Sequence, residues 1–387
     1  MIKNIRLRNF KCYSKKDFEL GKLTVFCGNN SVGKSTAIQS LLMAIQADFS
    51  QDGIPYNGEY VSIGSYSDLH KRNEEEDTVF FQIGNDKGSL LWGYELDDLE
   101  GEHYTSEQYN VRKTEMNSQP LPLIKSHGDC CSSIREYLSD NFQYLCAERL
   151  GPKSNYPYST QRRSKYWLGI QGEYSAQVLS REDFQRESLF KNDPRLHESS
   201  RLNSINHNIF EWLSVISPGA FVHTAALEHA DIATAMFEFG DGEKYRPTNV
   251  GFGLSYALPI VMALLMAKPG GLVIIENPEA HLHPRGQSYL GRLLALTAQA
   301  GIQVIVETHS DHLLNGIRVI TRLSETFDPK LFTLYYISQG EEQSNVDKIT
   351  ITKDGKLSDW PDGFFDQQAQ DMFTIMTGQT QLPTKEA

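Results

Sequence analysis

The chain has 387 residues, 40% of them hydrophobic and 22% charged, which excludes a disordered chain and leaves room for two or three lobes. Its formal net charge of −12 opposes attraction of nucleic acid over the whole surface, so a DNA or RNA partner would need a local basic patch. Five cysteines without CxxC or Cys/His ligand spacing point to free thiols, not to a disulfide framework or a zinc site.

The opening MIKNIRLRNF lacks the apolar segment of a secretory signal. The longest apolar run, Leu254 to Ala267, contains Pro259 and is shorter than the ~20 residues of a membrane-spanning helix. A cytoplasmic protein with no membrane partner is expected. Next, LTVFCG (residues 23 to 28) is a short apolar run of strand type, and STAIQSLLMAIQ carries apolar residues at helical spacing. Between them lies GNNSVGKST.

Strand, loop and helix in that order make Gly28-x4-Gly33-Lys34-Ser35 a Walker A motif, because the glycines let backbone N–H groups curl around a phosphate at a helix N-terminus. Lys34 is expected to reach the β and γ phosphates of a nucleotide, and Ser35 to coordinate Mg2+.

Residues 78 to 94 alternate and turn at Asn85 to Gly88, which predicts an antiparallel hairpin. The segment from 95 to 135 carries no assignable pattern. KSNYPYSTQRRSKYW (residues 153 to 167) mixes basic and aromatic residues, so Arg162, Arg163 and Lys165 form either a nucleic-acid patch or a solvated loop. From Arg181 to Ser214 charged and apolar residues interleave at helical spacing, broken at Asn192-Asp193-Pro194, and predict a helical lobe. No heptad run is long enough for a coiled-coil arm.

NVGFGLSYALPI (residues 249 to 260) places two glycines and a serine before an apolar helix, a second anion-binding helix start that can complete a partner chain's site. GLVIIENPEAHLHP (residues 271 to 284) is a buried-strand run ending in carboxylates, as in a Walker B strand. In that arrangement Glu276 holds Mg2+, and Glu279 is the replacement for the water-activating acid whose usual place is taken by Asn277. GIQVIVETHS (residues 301 to 310) is another strand, ending at a polar switch residue, His309. The tail offers strands in FTLYYISQ and DKITITKDGKL, then WPDGFFDQQAQDMF, whose Asp362, Asp366 and Asp371 read as surface acids.

Taken together, Walker A, GFGLS, the Walker B strand with HLHP, and THSDHLL resemble the ABC-type ATPase heads of the SMC, RecF and OLD group. YNGEYVSIGSYSDLHK, YLCAERLGP and WPDGFF bring the likeness nearer to prokaryotic AAA-type ATPases of antiphage-defence type without a TOPRIM nuclease domain. The resemblance implies an α/β P-loop NTPase head with a mixed sheet, a β-hairpin insert and a helical lobe. Its parts would be an N-terminal lobe (1–94), a variable insert and helical lobe (95–240), a C-terminal lobe (241–340) and a tail (341–387).

Carried over by position, Asn30, Gly33, Lys34, Ser35 and Thr36 would bind ATP and Mg2+, with Ser35 and Glu276 on the metal. Gly251, Gly253 and Ser255 would contact the γ-phosphate held by the opposite subunit, and Glu276, Glu279 and His309 would form the hydrolytic and sensing end. Gln143 is the positional candidate for a glutamine switch. The resemblance implies an ATP-sandwich homodimer or higher oligomer that controls an effector such as a nuclease. The alternative is a RecF-like DNA-binding head, and a nucleotide held only as a structural ligand is a third reading. The signature lacks the LSGGQ spelling and Asn277 replaces an acid, departures that bear on turnover more than on binding.

Overall fold

The computed structural model describes residues 1–47, 53–72, 78–94, 120–128, 141–240, 242–361 and 363–379. The first part supplies β1 (Ile2–Phe10), β2 (Tyr13–Glu19), β3 (Leu23–Gly28), α1 (Lys34–Gln46), β4 (Gly53–Ile54), α2 (Tyr66–Leu69), β5 (Phe80–Asn85), β6 (Gly88–Gly93) and β7 (Leu121–Gly128). The middle supplies β8 (Phe142–Leu145), β9 (Tyr156–Pro157), α3 (Ser175–Leu179), α4 (Glu182–Gln185), α5 (Ile205–Ile216), β10 (Ala220–Leu227), β11 (Ile232–Phe239) and β12 (Glu243–Tyr245). Then come α6 (Phe252–Met266), β13 (Leu272–Glu276), α7 (Pro284–Gln299), β14 (Gln303–Glu307), α8 (Asp311–Leu323), β15 (Phe332–Ser338), β16 (Asn345–Ile349) and α9 (Gln367–Thr377).

The central sheet has the order β16-β15-β3-β14-β13-β8. All its neighbours are parallel except the edge strand β16, which is antiparallel to β15. β3, β13 and β14 read as unbroken apolar runs because both faces of such a sheet are covered. Side chains alternate between two cores: Val273, Ile275, Val304 and Val306 face one, while Leu272, Ile274 and Ile305 face the other.

The first core is filled by α6, which is apolar all round and packs on α5, α7, β13 and β8. Each of its buried leucines and isoleucines contributes roughly 1.5–3 kcal/mol relative to exposure. The second core lies under α1 and an antiparallel sheet ordered β2-β1-β5-β6-β7-β4. Here the predicted hairpin appears as β5 and β6, joined to β1 by pairing of Ile5 with Ile83. A smaller sheet, β10-β11-β12 with β9 on β11, extends from the first core.

Two expectations need correction. The stretch from 181 to 214 is helical only in α4 and α5. Between them Asp193 and Arg195 form a buried ion pair, with Nη2 to Oδ2 at 2.6 Å, and Arg195 Nη1 donates to the carbonyls of Leu264 (2.8 Å) and Ala267 (2.7 Å) at the end of α6. A turn built around a charged pair overrides the helical spacing of its neighbours. Second, α6 begins at Phe252 with Gly251 as its N-cap, so Gly253 and Ser255 lie inside the helix and not before it.

Candidate active site

The chain's phosphate loop leaves β3 at Gly28 and enters α1 at Lys34, with Gly33 left-handed at φ 108° as the helix cap. Gly33 has no room for a side chain: a Cβ there would meet Cys12 Sγ at 2.2 Å. The loop is clamped from the β1–β2 turn. Tyr13 Oη donates to Gly33 O at 3.1 Å, Lys11 Nζ donates to Gln39 Oε1 at 2.7 Å, and Cys12 Sγ lies 4.0 Å from Thr36 Oγ1.

Lys34 is buried and its ammonium donates to Asn29 O. Burial lowers its pKa, and the Glu307 carboxylate opposes that shift. A cleft of 610 Å³ opens beside it, lined by Asn30, Lys34, Ser35, Thr36, Glu307 and His309 among others. It continues at Lys11, Cys12, Asn30 and Ser31 into a second cleft of 580 Å³ that also carries Arg72.

The parallel register brings three strand ends together. Glu276 at the end of β13 lies opposite Glu307 at the end of β14, which lies opposite Phe26 of β3. Ligand sites of open α/β sheets form at such carboxyl ends. Glu276 accepts from Tyr144 Oη (3.1 Å, Oε1) and from the Ala147 N–H (3.1 Å, Oε2). Burial raises its pKa while those two donors and Arg149 oppose the rise.

Glu279 accepts from Thr308 Oγ1 at 2.7 Å and from the His309 N–H at 2.6 Å. Burial lowers the pKa of His309, helped by the Lys34 charge, and its ring also bonds the Gly28 main chain. The neutral imidazole therefore links the switch loop to the phosphate loop. Asn277, at φ 44°, donates its N–H to Glu307 O at 2.8 Å.

Among the described residues, none of Gly251, Gly253 and Ser255 lines the Lys34 cleft. Gly253 sits instead against the HLHP segment, where a Cβ on it would meet His281 O at 2.7 Å. Phe252, 53% exposed, stands 5.2 Å from the His281 ring, and Tyr256 stands 4.8 Å from it. Ser255 Oγ is buried without a hydrogen-bond partner.

Several site residues escape motif reading. Arg149 donates to Cys146 O (3.0 Å), Glu276 O (2.6 Å) and Asn277 O (2.5 Å), with its guanidinium 5.2 Å from the Tyr256 ring centre. Glu307 lies in GIQVIVETHS, where His309 drew the functional reading. The tail also reaches the site: Phe365 and Asp366 share a 560 Å³ cleft with Gly28, Asn29, Asn30 and His309.

Other expected roles are displaced. The Gln143 amide is held by Tyr166 O (3.0 Å) and the Leu168 N–H (3.3 Å), which makes it a brace of that turn rather than a phosphate sensor. Arg162 donates to Ser159 O, Arg163 stacks on Tyr60, Phe142 and Trp167, and Lys165 pairs with Asp183. The basic patch is thus engaged within the chain. Asp366 accepts from the Gly363 N–H and Asp371 from Gln367 Nε2, whereas Asp362 lies outside the described residues. Cys12, Cys27 and Cys146 are free thiols, and Cys130 and Cys131 lie outside the described residues.

Comparison with known proteins fits this geometry. Residues 1–126 match a family model described as "AAA ATPase domain", and residues 158–315 match one described as "AAA domain, putative AbiEii toxin, Type IV TA system". The two models cover the Walker A strand and the Walker B and histidine strands that the central sheet unites. Both halves of the site therefore match AAA ATPase models.

Residues 328–375 match a third model, described as a protein of unknown function. The chain is 22% identical over 379 residues to an OLD nuclease of Thermus scotoductus, covering 90% of this chain and 66% of that protein. The chain thus spans somewhat less than two thirds of the length of that relative. Among solved structures it is similar to an SMC head domain from Thermotoga maritima (12% identity, TM-score 0.44, covering 89% of this chain and 98% of that one). It is also similar to an Smc head with an extended coiled coil, bound to the C-terminal domain of ScpA, from Pyrococcus furiosus (12% identity, TM-score 0.48, covering 97% and 99%). Among the described residues no helix is long and apolar enough to cross a membrane.

Proposed function

We propose that this ATPase head is a switch in which two copies close around ATP and hydrolysis lets them part. One observation carries the reading. The Lys34 cleft holds Lys34, the Ser35 hydroxyl, Gly33 and His309, while the first turn of α6, with Gly251, Gly253 and Ser255, lies outside that cleft. A second chain's GFGLS segment would close the cleft, and the exposed Phe252 would gain partners there.

In this reading Lys34 exchanges Asn29 O for phosphate oxygens, and Asn30, Gly33 and Thr36 shape the loop around them. Glu279 holds the Thr308–His309 corner so that the imidazole faces the γ-phosphate position, and any loss of that phosphate changes the contacts of His309. Magnesium fits the donor set: Ser35 offers a hydroxyl, and buried Glu307 Oε2 has no hydrogen-bond partner. Bound there, the ion would offset phosphate charge. Among the described residues no group of three His, Cys, Asp or Glu side chains is placed to hold a metal alone, whereas Mg2+ with a nucleotide draws ligands from water and phosphate.

The likeness to an OLD nuclease and to a toxin–antitoxin family model supports an effector of nuclease type as the recipient of the switch, in prokaryotic antiphage defence. ATP binding and phosphate release by wild type and Lys34→Ala test the nucleotide part. The reading expects Lys34→Ala to lose about tenfold or more in affinity, and equal binding by the two proteins would overturn it.

A further inference from the structure

Phe364 is fully buried and packs on Tyr336 of β15, with ring centres 5.2 Å apart, which anchors the segment leading into α9. Just beyond it, Phe365, Asp366 and Gln367 line the 560 Å³ cleft shared with Gly28, Asn30 and His309, so α9 starts at the rim of the phosphate loop. From there the helix stands off the body. None of its described side chains is buried, and no other described helix or strand packs along it.

The helix has 11 residues, and isolated helices shorter than about 12–15 residues are marginal in water. At helical spacing Met372, Phe373, Ile375 and Met376 fall on one face. Met372 is 48% exposed, Ile375 75% and Met376 78%, a contiguous apolar stripe and not a scatter of single surface residues. A helix of this kind is completed by a surface that takes its apolar face.

Charge selects the surface. From Trp360 to Thr377 the sequence has three aspartates and no lysine or arginine, and Asp371 borders the apolar face one turn before Ile375. From Lys244 to Tyr256 it has Lys244 and Arg246 and no acid. That second stretch leads into GFGLS, both of its cations are exposed, and it adds the exposed rings of Tyr245 and Phe252. It is also the stretch that a second copy would bring to the Lys34 cleft, on whose rim α9 begins.

We propose that in the ATP-closed pair α9 of each copy docks on the segment from Lys244 to Phe252 of the other. Its Met372–Met376 face meets Tyr245 and Phe252, and Asp366 and Asp371 lie beside Lys244 and Arg246. Opposite charges orient the approach, and burial of the stripe supplies the attraction. Two-fold symmetry makes the contact twice. The inference rests on the ATP-switch reading above.

The test is ATP-dependent association of the full chain by sedimentation, with affinity for a fluorescent ATP analogue measured alongside, for wild type, the double variant Ile375→Asp with Met376→Asp, Arg246→Glu and Lys34→Ala. A carbodiimide, which joins a carboxylate to an amine in contact with it, is applied to mixed isotope-labelled and unlabelled wild-type chains. The double variant and Arg246→Glu should each weaken association by about tenfold or more while ATP affinity stays within about twofold of wild type. Retained ATP affinity also shows that the variants are folded. Asp366 or Asp371 of one chain should become joined to Lys244 of the other only with ATP. Association of the double variant at wild-type strength would overturn the proposal, as would a cross-link to Lys244 that forms equally without ATP. If Lys34→Ala fails to associate while the double variant associates normally, the ATP sandwich stands and the stripe belongs to a different protein. If wild type binds ATP and never associates, the switch reading itself has failed, and the proposal falls with it.

Discussion

Glu279 and His309 sit on loops that follow different strands, and a single backbone hydrogen bond, His309 N–H to Glu279 Oε1 at 2.6 Å, joins them. The other carboxylate oxygen takes Thr308 Oγ1, so one side chain fixes the whole corner from which the imidazole projects. Removing its charge leaves the phosphate loop intact. Glu279→Gln should therefore lower phosphate release by about 10²-fold, in the range for a misplaced catalytic group, while the affinity for Mg·ATP changes by about twofold at most. A steady-state assay with a binding titration checks this, and unchanged turnover would remove Glu279 from the hydrolytic end.

Arg149 joins the Walker B corner to the GFGLS helix, with three carbonyls on one side and the Tyr256 ring on the other. A planar fork and a stackable face are what lysine lacks. Arg149→Lys should bind ATP normally yet weaken ATP-dependent association of two chains by about tenfold, equivalent to about 1.4 kcal/mol. Sedimentation of the variant with ATP reads the effect directly.

Asp193 and Arg195 carry stability rather than chemistry. Both side chains are almost wholly buried, and Arg195 also ties the end of α6 through carbonyls of Leu264 and Ala267. Asp193→Ala strands a guanidinium inside the protein, so unfolding free energy should fall by about 3–5 kcal/mol. A chemical denaturation curve shifted by less than about 1 kcal/mol would mean that water reaches the pair.

Glu307 gives the nucleotide-free chain a pH signature. Its pKa is pushed up to about 7, first by burial, with Glu276 and Glu279 adding repulsion and Ser35 and Lys34 opposing. The unfolded chain releases this proton near pH 4, so across that window the folded state holds more protons and stability falls as pH rises. The contribution is full below about pH 4 and lost as pH passes about 7, on the order of 2–3 kcal/mol. Denaturation in EDTA at pH 5 and pH 8 should show Glu307→Gln gaining on wild type at the higher pH. Parallel curves for the two proteins would contradict the burial argument.

Much of the site was legible because its signals are local. LTVFCG followed by GNNSVGKST announces strand, phosphate loop and helix within one short stretch, and the Leu272–Ile275 and Gln303–Val306 runs announce buried strands by composition alone. What remained hidden depends on pairing across the chain. Nothing around Glu307 says that its strand lies between β3 and β13, and that placement puts its carboxylate beside Ser35. Arg149 was likewise invisible, since its partners lie far along the sequence. The tail's arrival beside Asn29 and His309 follows from Phe364 packing on Tyr336 of β15, a contact that no periodicity encodes.

The central claim is that ATP joins two copies of the chain. The solution mass of the purified protein with and without Mg·ATP, recorded for wild type and for the slow Glu279→Gln variant, tests it most directly. The account predicts a mass that doubles with ATP, persists in Glu279→Gln and decays in wild type as phosphate is released. A mass that stays the same with bound ATP in both proteins would contradict the switch and leave the nucleotide as a structural ligand.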